Sequence, residues 1–257
     1  MSKFRECFSV GAFQVDHGNI ITPENLVNLL QECANHQMRD RKPTYYQLLN
    51  EGKSLIVSRM KVDIHGAIYM YDNLDVATWK CPSKGMILYR GYEALYNNQV
   101  VAEAIGCWAV VDRHKGRICR PEAIDLSNYE TDCLPIDGLE PFKKVGRREL
   151  NEFEYFGSYT VKSSDVDMNL HMNNARYFKV FWDVVQASWK GNDFPFVRTM
   201  DIKYGGEAML GSCFDIYVKP GGRTWKIATI INDKMGAQCD VHIDQRSVWG
   251  LRHERKI

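Results

Sequence analysis

The feature that most constrains this chain is an internal repeat. Phe8 to Val15 is rich in aromatic and β-branched residues and reads as a strand, and Thr22 to Gln37 reads as a helix. Thr22 is placed to cap that helix, Pro23 takes its first position, and Leu26, Leu29, Leu30, Cys33 and Ala34 fall at helical spacing. The pattern returns later: Tyr155 to Val161 is a second β-prone stretch, and Asn173 to Ser188 a second helix carrying Tyr177, Phe178, Phe181, Val184, Val185 and Trp189. Downstream, Met60-Lys-Val-Asp-Ile aligns with Met200-Asp-Ile-Lys-Tyr at a shift of 140, and Asp75 with Asp215 at the same shift. The strand at Ile87 to Leu95 matches Thr224 to Ile231, and Val100 to Asp112 matches Ala237 to Ile243. Turns are expected at Asn97-Asn98 in the first copy and at Pro220-Gly221-Gly222 and Asp233 to Gly236 in the second.

Each copy therefore reads as a strand, a long helix and about four antiparallel strands. A sheet curled around one helix buries that helix on most sides, which suits a second helix that is apolar around nearly its whole circumference. The expected fold class is α+β: two tandem hotdog domains, each a long central helix wrapped by a curved antiparallel sheet, with the two sheets pairing edge to edge. The expected boundaries are an N-terminal domain at residues 1–120, a connector at 121–152 and a C-terminal domain at 153–257. The connector has little periodicity, contains Pro121, Pro135, Gly138, Pro141 and Gly146, and ends in the densest basic cluster of the chain, Phe142-Lys-Lys-Val-Gly-Arg-Arg148. That cluster is either a solvated linker face or a docking site for an acidic partner.

Composition narrows the function classes. The chain has 257 residues, 45% of them hydrophobic, and 33 basic against 32 acidic residues leave a formal charge of +1. Nothing here supplies a global field for nucleic acid or an anionic membrane. No apolar run approaches a membrane span, and the amino-terminal residues have no apolar signal region, so a cytoplasmic protein is expected. The eight cysteines contain no Cys-x-x-Cys pair, which removes a zinc knuckle or thioredoxin-like redox centre and reads as reduced, dispersed thiols.

Chemistry concentrates in one loop, Ser163-Ser-Asp-Val-Asp-Met-Asn-Leu-His-Met-Asn-Asn-Ala-Arg-Tyr177. If extended, it places Asp165, Asp167, Asn169 and His171 on one side, and Asn173 or Asn174 can cap the helix that follows. Backbone N–H groups at that helix start could take up a carbonyl oxygen or oxyanion. A calcium loop needs Gly and Glu where Leu170 and Arg176 stand. A transition-metal site at Asp167 and His171 lacks a nearby second histidine. A plain polar capping loop remains an alternative.

The run Asp-Val-Asp-Met-Asn-Leu-His-Met-Asn-Asn, followed by Ala-Arg-Tyr, resembles the signature of the acyl-acyl-carrier-protein thioesterase family, a tandem double hotdog of about this length. Plant members carry a plastid transit segment not found here, so the chain looks like a bacterial member. The resemblance implies catalytic roles for Asp167, Asn169 and His171. It also implies a further acid after the next strand, where Ile202-Lys-Tyr-Gly-Gly-Glu-Ala offers Glu207; the family's neighbouring cysteine is replaced by Ala208. A Cys-His-Asn mechanism through position 208 is thus removed, and no Gly-x-Ser-x-Gly elbow is present.

The implied reaction is hydrolysis of fatty acyl thioesters on acyl carrier protein, giving free fatty acid and the carrier's thiol. Glu207 activates water or attacks directly; His171 orients and shuttles the proton; Asn169 polarises the carbonyl; Asp167 fixes the loop and the imidazole tautomer. Gly205 and Gly206 are expected to let the backbone bend and approach closely before Glu207. The implied partner is the acidic carrier, with Lys143, Lys144, Arg147, Arg148, Arg176 and Lys179 as docking candidates. No metal, nucleotide or organic cofactor is implied, and monomer and homodimer both stay open. The first copy has Ala67 at the place of Glu207, and its loop before Thr22 is read as holding no histidine. It is expected to shape the acyl-chain tunnel, with Met60, Ile64, Met70 and Trp79 as candidate lining. The rivals are an acyl-CoA thioesterase on the same fold and a non-catalytic acyl-binding protein.

Overall fold

The structure is a computed structural model that describes residues 2–136, 139–190 and 195–244. The chain divides into two compact units: Met1–Val15, Asn19–Ile21 and Asn25–Leu139 form the first, and Asp16–Gly18, Thr22–Glu24 and Glu140–Ile257 the second.

The first unit contains strand β1 (Phe4–Ser9), helix α1 (Pro23–Asp40) from Asn25 onward, a short helix α2 (Tyr45–Asn50), and strands β2 (Lys53–Ile64), β3 (Asn73–Lys80), β4 (Leu88–Tyr96), β5 (Gln99–Asp112) and β6 (Arg117–Cys119). Its antiparallel strand order is β1-β3-β4-β5-β2, with β6 paired to β5. The second unit contains β7 (Glu154–Thr160), α3 (Asn174–Ser188), β8 (Phe196–Lys203), β9 (Cys213–Lys219), β10 (Thr224–Ile231) and β11 (Lys234–Asp244). Its order, β7-β9-β10-β11-β8, repeats that of the first unit strand for strand.

Both helices are buried on all sides but one. In α1 the exposed positions are Asn28, Glu32, Asn35 and Arg39, with Asp40 at its last residue; in α3 they are Lys179, Asp183 and Ala187, again a single stripe at helical spacing. Leu26, Leu30 and Cys33 of α1 and Phe178, Phe181 and Val185 of α3 are fully buried. Register shifts at Val57/Arg59, Ala94/Leu95, Tyr155/Gly157, Ala228/Ile230 and His242/Ile243 add the bends a sheet needs to curl over a helix.

Several local expectations need correction. The first strand ends at Ser9, because residues 12–14 close a 3₁₀ turn in which the Gln14 side chain accepts from the Gly11 N–H. The β10–β11 reversal is the two-residue turn Asn232-Asp233, both left-handed, so Lys234 to Gly236 already belong to β11. It matches the left-handed pair Asn97-Asn98 in the first unit, the backbone that a tight hairpin with right-twisted strands requires. Helix α2 was not anticipated, although its capping box, Thr44 with Gln47, stands in the sequence. Residues 121–136 pack on the first unit: Ile124, Leu126 and Tyr129 share a cluster with Met38, Leu48, Leu88 and Val110, and the Lys80 N–H donates to Glu130 O at 2.8 Å.

The spacing between the copies changes along the chain. Val15 bridges Ile21 as Val166 bridges Met172, a spacing of 151 residues; Tyr69 and Met209, the partners of Ile20 and His171, are 140 apart. The first copy therefore holds 11 extra residues between these points, where α2 sits. Of the residues expected to line an acyl tunnel, Met60, Ile64 and Trp79 are buried and Met70 is half-buried. Trp79 lies on the opposite face of β3 from Leu74, Val76 and Thr78, with Lys3 over its ring and its indole N–H donating to Cys133 O at 2.6 Å. It therefore does not share the helix-facing side with Met60 and Ile64.

Tyr71 holds φ +71° at the place where the second unit has Gly211 at φ +79°. The Cβ of a non-glycine residue is crowded there, and Tyr71 is 73% exposed. Tyr71→Gly should raise, and Gly211→Ala lower, the unfolding free energy by about 1 kcal/mol each; urea denaturation of the two variants measures both.

Candidate active site

The informative loop is folded back on itself rather than extended. The Asp165 N–H donates to Lys162 O at 3.0 Å, and the Leu170 N–H donates to Asp167 O at 3.0 Å. Leu170 takes φ +63°, and the Asp167 N–H returns to His171 O at 3.0 Å. The alternation argument fails for this reason, and the four polar side chains separate into different jobs.

Asp165 is buried at 6% exposure, and its carboxylate accepts from the Tyr159 hydroxyl at 2.9 Å and the Lys162 N–H at 2.8 Å. Its carbonyl accepts the Asn173 N–H at 2.8 Å. Asp165 is a support of the loop, not a member of the open site. The Tyr159 hydroxyl is pushed up to about 12, by burial first and then by its hydrogen bond and charge contact with Asp165, so it remains a donor. Asp167 forms an Asx turn: its Oδ1 accepts the Asn169 N–H at 2.8 Å. Asn173 caps α3, its side chain accepting from the Ala175 N–H at 2.9 Å.

His171 and Glu207 come together across two paired loops. Imidazole Nε2 lies 3.3 Å from Glu207 Oε2, with side-chain exposures of 31% and 53%. The pairing beneath them is backbone: His171 bridges Met209, the Met172 N–H donates to Ala208 O at 2.8 Å, and the Leu210 N–H donates to Leu170 O at 3.2 Å. Ala208 itself is buried and carries no nucleophile. Met168, Leu170, Met209 and Leu210, on these same loops, are all exposed. An imidazole and a carboxylate in contact, on loops that also expose apolar side chains, can hold a water, take its proton and pass it on. Asn169 and Asp167 are tied to each other, with Asn169 Nδ2 at 3.5 Å from Asp167 Oδ2; the partner of the imidazole is Glu207, not Asp167.

The aromatic packing below was not read from the sequence. Tyr204, at the end of β8, donates to Asn174 O at 3.1 Å and meets Tyr177 edge-on at 5.4 Å; Tyr177 stacks on Phe214, which meets Tyr159 at 5.5 Å. This chain of rings joins the strand before Glu207 to the support of the His171 loop, and no spacing rule along the chain would have found it.

The basic candidates divide. Arg176 is ion-paired with the buried Glu24, which groups with the second unit; Lys179 pairs with Asp183 at 2.7 Å, and Arg147 with Asp233 at 3.3 Å. Lys143, Lys144 and Arg148 are exposed and form no ion pair among the described residues. Their segment is held where Gln238 accepts from the Val145 N–H at 2.9 Å and donates to Val145 O at 3.0 Å.

The first copy keeps the loop and not the chemistry. Asp16 Oδ1 accepts the Gly18 N–H at 2.7 Å as Asp167 Oδ1 accepts that of Asn169, and Asn19 takes φ +62° where Leu170 takes +63°. Ile20 stands at the place of His171 and Ala67 at that of Glu207. The expectation of a histidine-free loop is corrected by the sequence itself, since His17 lies there, but opposite Met168.

Gly205 is where Glu207's loop meets β11: a Cβ there would lie 2.3 Å from Gly236 O and 3.0 Å from Met235 O, whereas nothing lies within 4 Å of one on Gly206. Gly205→Ala should cost about 1–3 kcal/mol of stability through this overlap, and Gly206→Ala well under 1 kcal/mol. Thermal unfolding of the two variants reads the difference.

Comparison with known proteins adds the following. Residues 1–124 match the family model for the acyl-ACP thioesterase N-terminal domain, and residues 149–250 that for the acyl-ACP thioesterase C-terminal domain. The chloroplastic acyl-acyl-carrier-protein hydrolase FATB3 of Cuphea viscosissima is 22% identical over 191 residues, covering 68% of this chain and 45% of that protein. The chloroplastic oleoyl-acyl carrier protein thioesterase 2 of Arabidopsis thaliana is 25% identical over 190 residues, covering 68% and 52%. The chain thus spans about half the length of the curated relatives it matches. Among solved structures, an acyl-ACP thioesterase from Bacteroides thetaiotaomicron VPI-5482 superposes with TM-score 0.81 at 19% identity over 93% of this chain and 97% of that one. The 12:0-ACP thioesterase from Umbellularia californica gives 0.80 at 14% identity over 94% and 97%. These likenesses carry the fold, a hotdog arrangement of the α+β class.

Proposed function

Because the chain belongs to the acyl-ACP thioesterase family, we propose that it hydrolyses fatty acyl thioesters carried on acyl carrier protein, releasing free fatty acid and the carrier's thiol. The observation that carries this reading is the contact between His171 and Glu207 on paired loops that also expose Met168, Leu170, Met209 and Leu210. A thioester brings a polar carbonyl next to an alkyl chain, and this surface offers a polar pair next to apolar side chains.

In the proposed reaction Glu207 takes a proton from water, and the water oxygen bonds to the thioester carbon. His171, in contact with Glu207, orients the carboxylate and the water. The Asn169 amide donates to the carbonyl oxygen as charge develops on it. The carbon–sulfur bond then breaks, and the sulfur leaves with the proton returned through Glu207 and His171. Asp167 keeps the turn that presents Asn169 and His171.

Carrier docking is assigned to the exposed Lys143, Lys144 and Arg148, whose charges are not committed to ion pairs among the described residues. Arg147, Arg176 and Lys179 contribute less, because each already neutralises a carboxylate. No helix among the described residues is long and apolar enough to cross a membrane.

Glu207→Gln should lower kcat on carrier-linked acyl chains roughly a hundred- to ten-thousand-fold with little change in KM. Full activity in that variant removes Glu207 from the mechanism. Direct attack by Glu207 would expel the thiol and leave an acyl anhydride; in single turnover in heavy-oxygen water, hydrolysis of that anhydride at the glutamyl carbon labels the Glu207 carboxylate, which direct water attack never does. Reversing Lys143, Lys144 and Arg148 to Glu together should raise KM for the carrier-bound substrate about tenfold, equivalent to about 1.4 kcal/mol, and leave a small thioester analogue unaffected.

A further inference from the structure

The chain carries a net charge of only +1, so attraction to a charged partner has to come from a local concentration of cations. One lies in the first unit, at the hairpin between β5 and β6, where Asp112-Arg113-His114-Lys115-Gly116-Arg117 reverses the chain and Arg120 follows shortly after. Arg113, Lys115, Arg117 and Arg120 are exposed and form no ion pair among the described residues. The one carboxylate of the turn is committed to the fold. Asp112 is buried; its Oδ1 accepts the His114 N–H at 3.1 Å and the Lys115 N–H at 3.0 Å, and its Oδ2 accepts from Lys53 Nζ at 3.0 Å. The Arg113 N–H donates to Gly52 O at 2.8 Å, and the His114 ring lies against Gly52, where a Cβ would come within 2.3 Å of it. The cations therefore project from a turn tied to the start of β2. The flanking acids Glu51, Glu122 and Asp125 are exposed and pair with none of them among the described residues.

The same hairpin exposes hydrocarbon. Val110 sits in the cluster with Met38, Leu48 and Leu88, and its cross-strand neighbours Leu55 and Cys119 pack against that cluster. Side chains alternate along a strand, so the adjoining positions, Ile56, Val111 and Ile118, lie on the opposite, outer face. Ile118 pairs with Val111 across the hairpin and is 55% exposed; Ile56 is 40% exposed. Arg120, two residues beyond Ile118 and still extended, falls on that face as well, so cations stand on both sides of Ile118 in the chain. Isoleucines exposed among uncommitted cations suit a partner that holds dense negative charge directly above hydrocarbon. An anionic lipid surface is built in that way. A nucleic acid offers phosphates and nothing for the isoleucines, and a folded acidic protein needs its carboxylates at fixed spacing, whereas lipid headgroups rearrange around the four charges.

We infer that the β5–β6 hairpin docks the protein on anionic lipid surfaces, with Arg113, Lys115, Arg117 and Arg120 against the headgroup phosphates and Ile118 and Ile56 at the acyl boundary. This surface is separate from His171 and Glu207, and the inference does not depend on hydrolysis.

The test is flotation of the full chain with vesicles of phosphatidylcholine alone and of phosphatidylcholine containing about one-third phosphatidylglycerol. The protein should float with the anionic vesicles, bind the neutral ones about tenfold more weakly or less, and lose anionic binding as salt is added. The combined variant Arg113→Gln, Lys115→Gln, Arg117→Gln and Arg120→Gln should weaken anionic binding about tenfold or more, and Ile118→Ser about threefold, with circular dichroism confirming the fold. Binding to neither vesicle, equal binding to both, or unchanged binding in the folded combined variant overturns the proposal. An equal loss in the control Lys143→Gln, Lys144→Gln and Arg148→Gln overturns the assignment to this hairpin. So does a combined variant that keeps vesicle binding but raises KM for carrier-linked substrate, which would make the hairpin a protein-docking surface. If the combined variant does not fold, Lys115→Gln and Arg120→Gln made singly should each weaken binding about twofold to threefold, and no change in either overturns the proposal. Flotation reads no turnover, so a protein that binds anionic vesicles and hydrolyses no thioester would refute the proposed function and leave this surface standing.

Discussion

The second unit depends on a small piece of backbone pairing. The hydrogen bonds from Met172 to Ala208 and from Leu210 to Leu170 lock two loops that are distant in sequence, and on that ladder His171 and Glu207 face each other. A side-chain contact of 3.3 Å between partly exposed groups would be weak by itself. Its geometry is set instead by amides that cannot move without breaking the ladder, by Asp165 buried against Tyr159, and by Gly205 passing against Gly236. Rigid support of this kind is what the proton transfer proposed for this pair would require, since small displacements of reacting groups cost rate steeply.

Much of the fold was legible because the periodicities are clean. The apolar spacing of Leu26, Leu29, Leu30 and Cys33, and the aromatic run from Tyr177 to Phe181, leave little room for anything but a buried helix. Strand positions followed from β-branched and aromatic runs and from the left-handed Asn97-Asn98 turn. What the spacing hid was three-dimensional. Alternation along residues 165–171 assumed an extended chain, and the Asx turn at Asp167 with left-handed Leu170 reverses it. Asp165 consequently points inward while His171 reaches Glu207. The offset of 151 residues before the helices was equally invisible, because the strands downstream align at 140 and α2 absorbs the difference.

The candidate site was legible residue by residue and only partly as a geometry. The side-chain types in the loop pointed to His171 and its polar neighbours, whereas Glu207 came only from the motif's family resemblance. The division of labour did not follow from type: Asp165, Asp167 and Asn173 are chemically similar, yet one is a buried support, one a turn former and one a helix cap. The docking candidates show the same limit. Arg176 looks free in the sequence, and its partner Glu24 lies 152 residues away.

Both copies hold the Asx turn, at Asp16 and at Asp167, yet only the second carries the imidazole and the carboxylate. In the first copy the places of His171 and Glu207 fall on Ile20 and Ala67, at 6% and 9% exposure. An imidazole and a carboxylate grafted there would meet hydrocarbon and each other rather than solvent, so the arrangement of the second unit could not be copied by exchanging side chains alone. Its loop would first have to be levered open, so packing as well as residue identity separates the two copies.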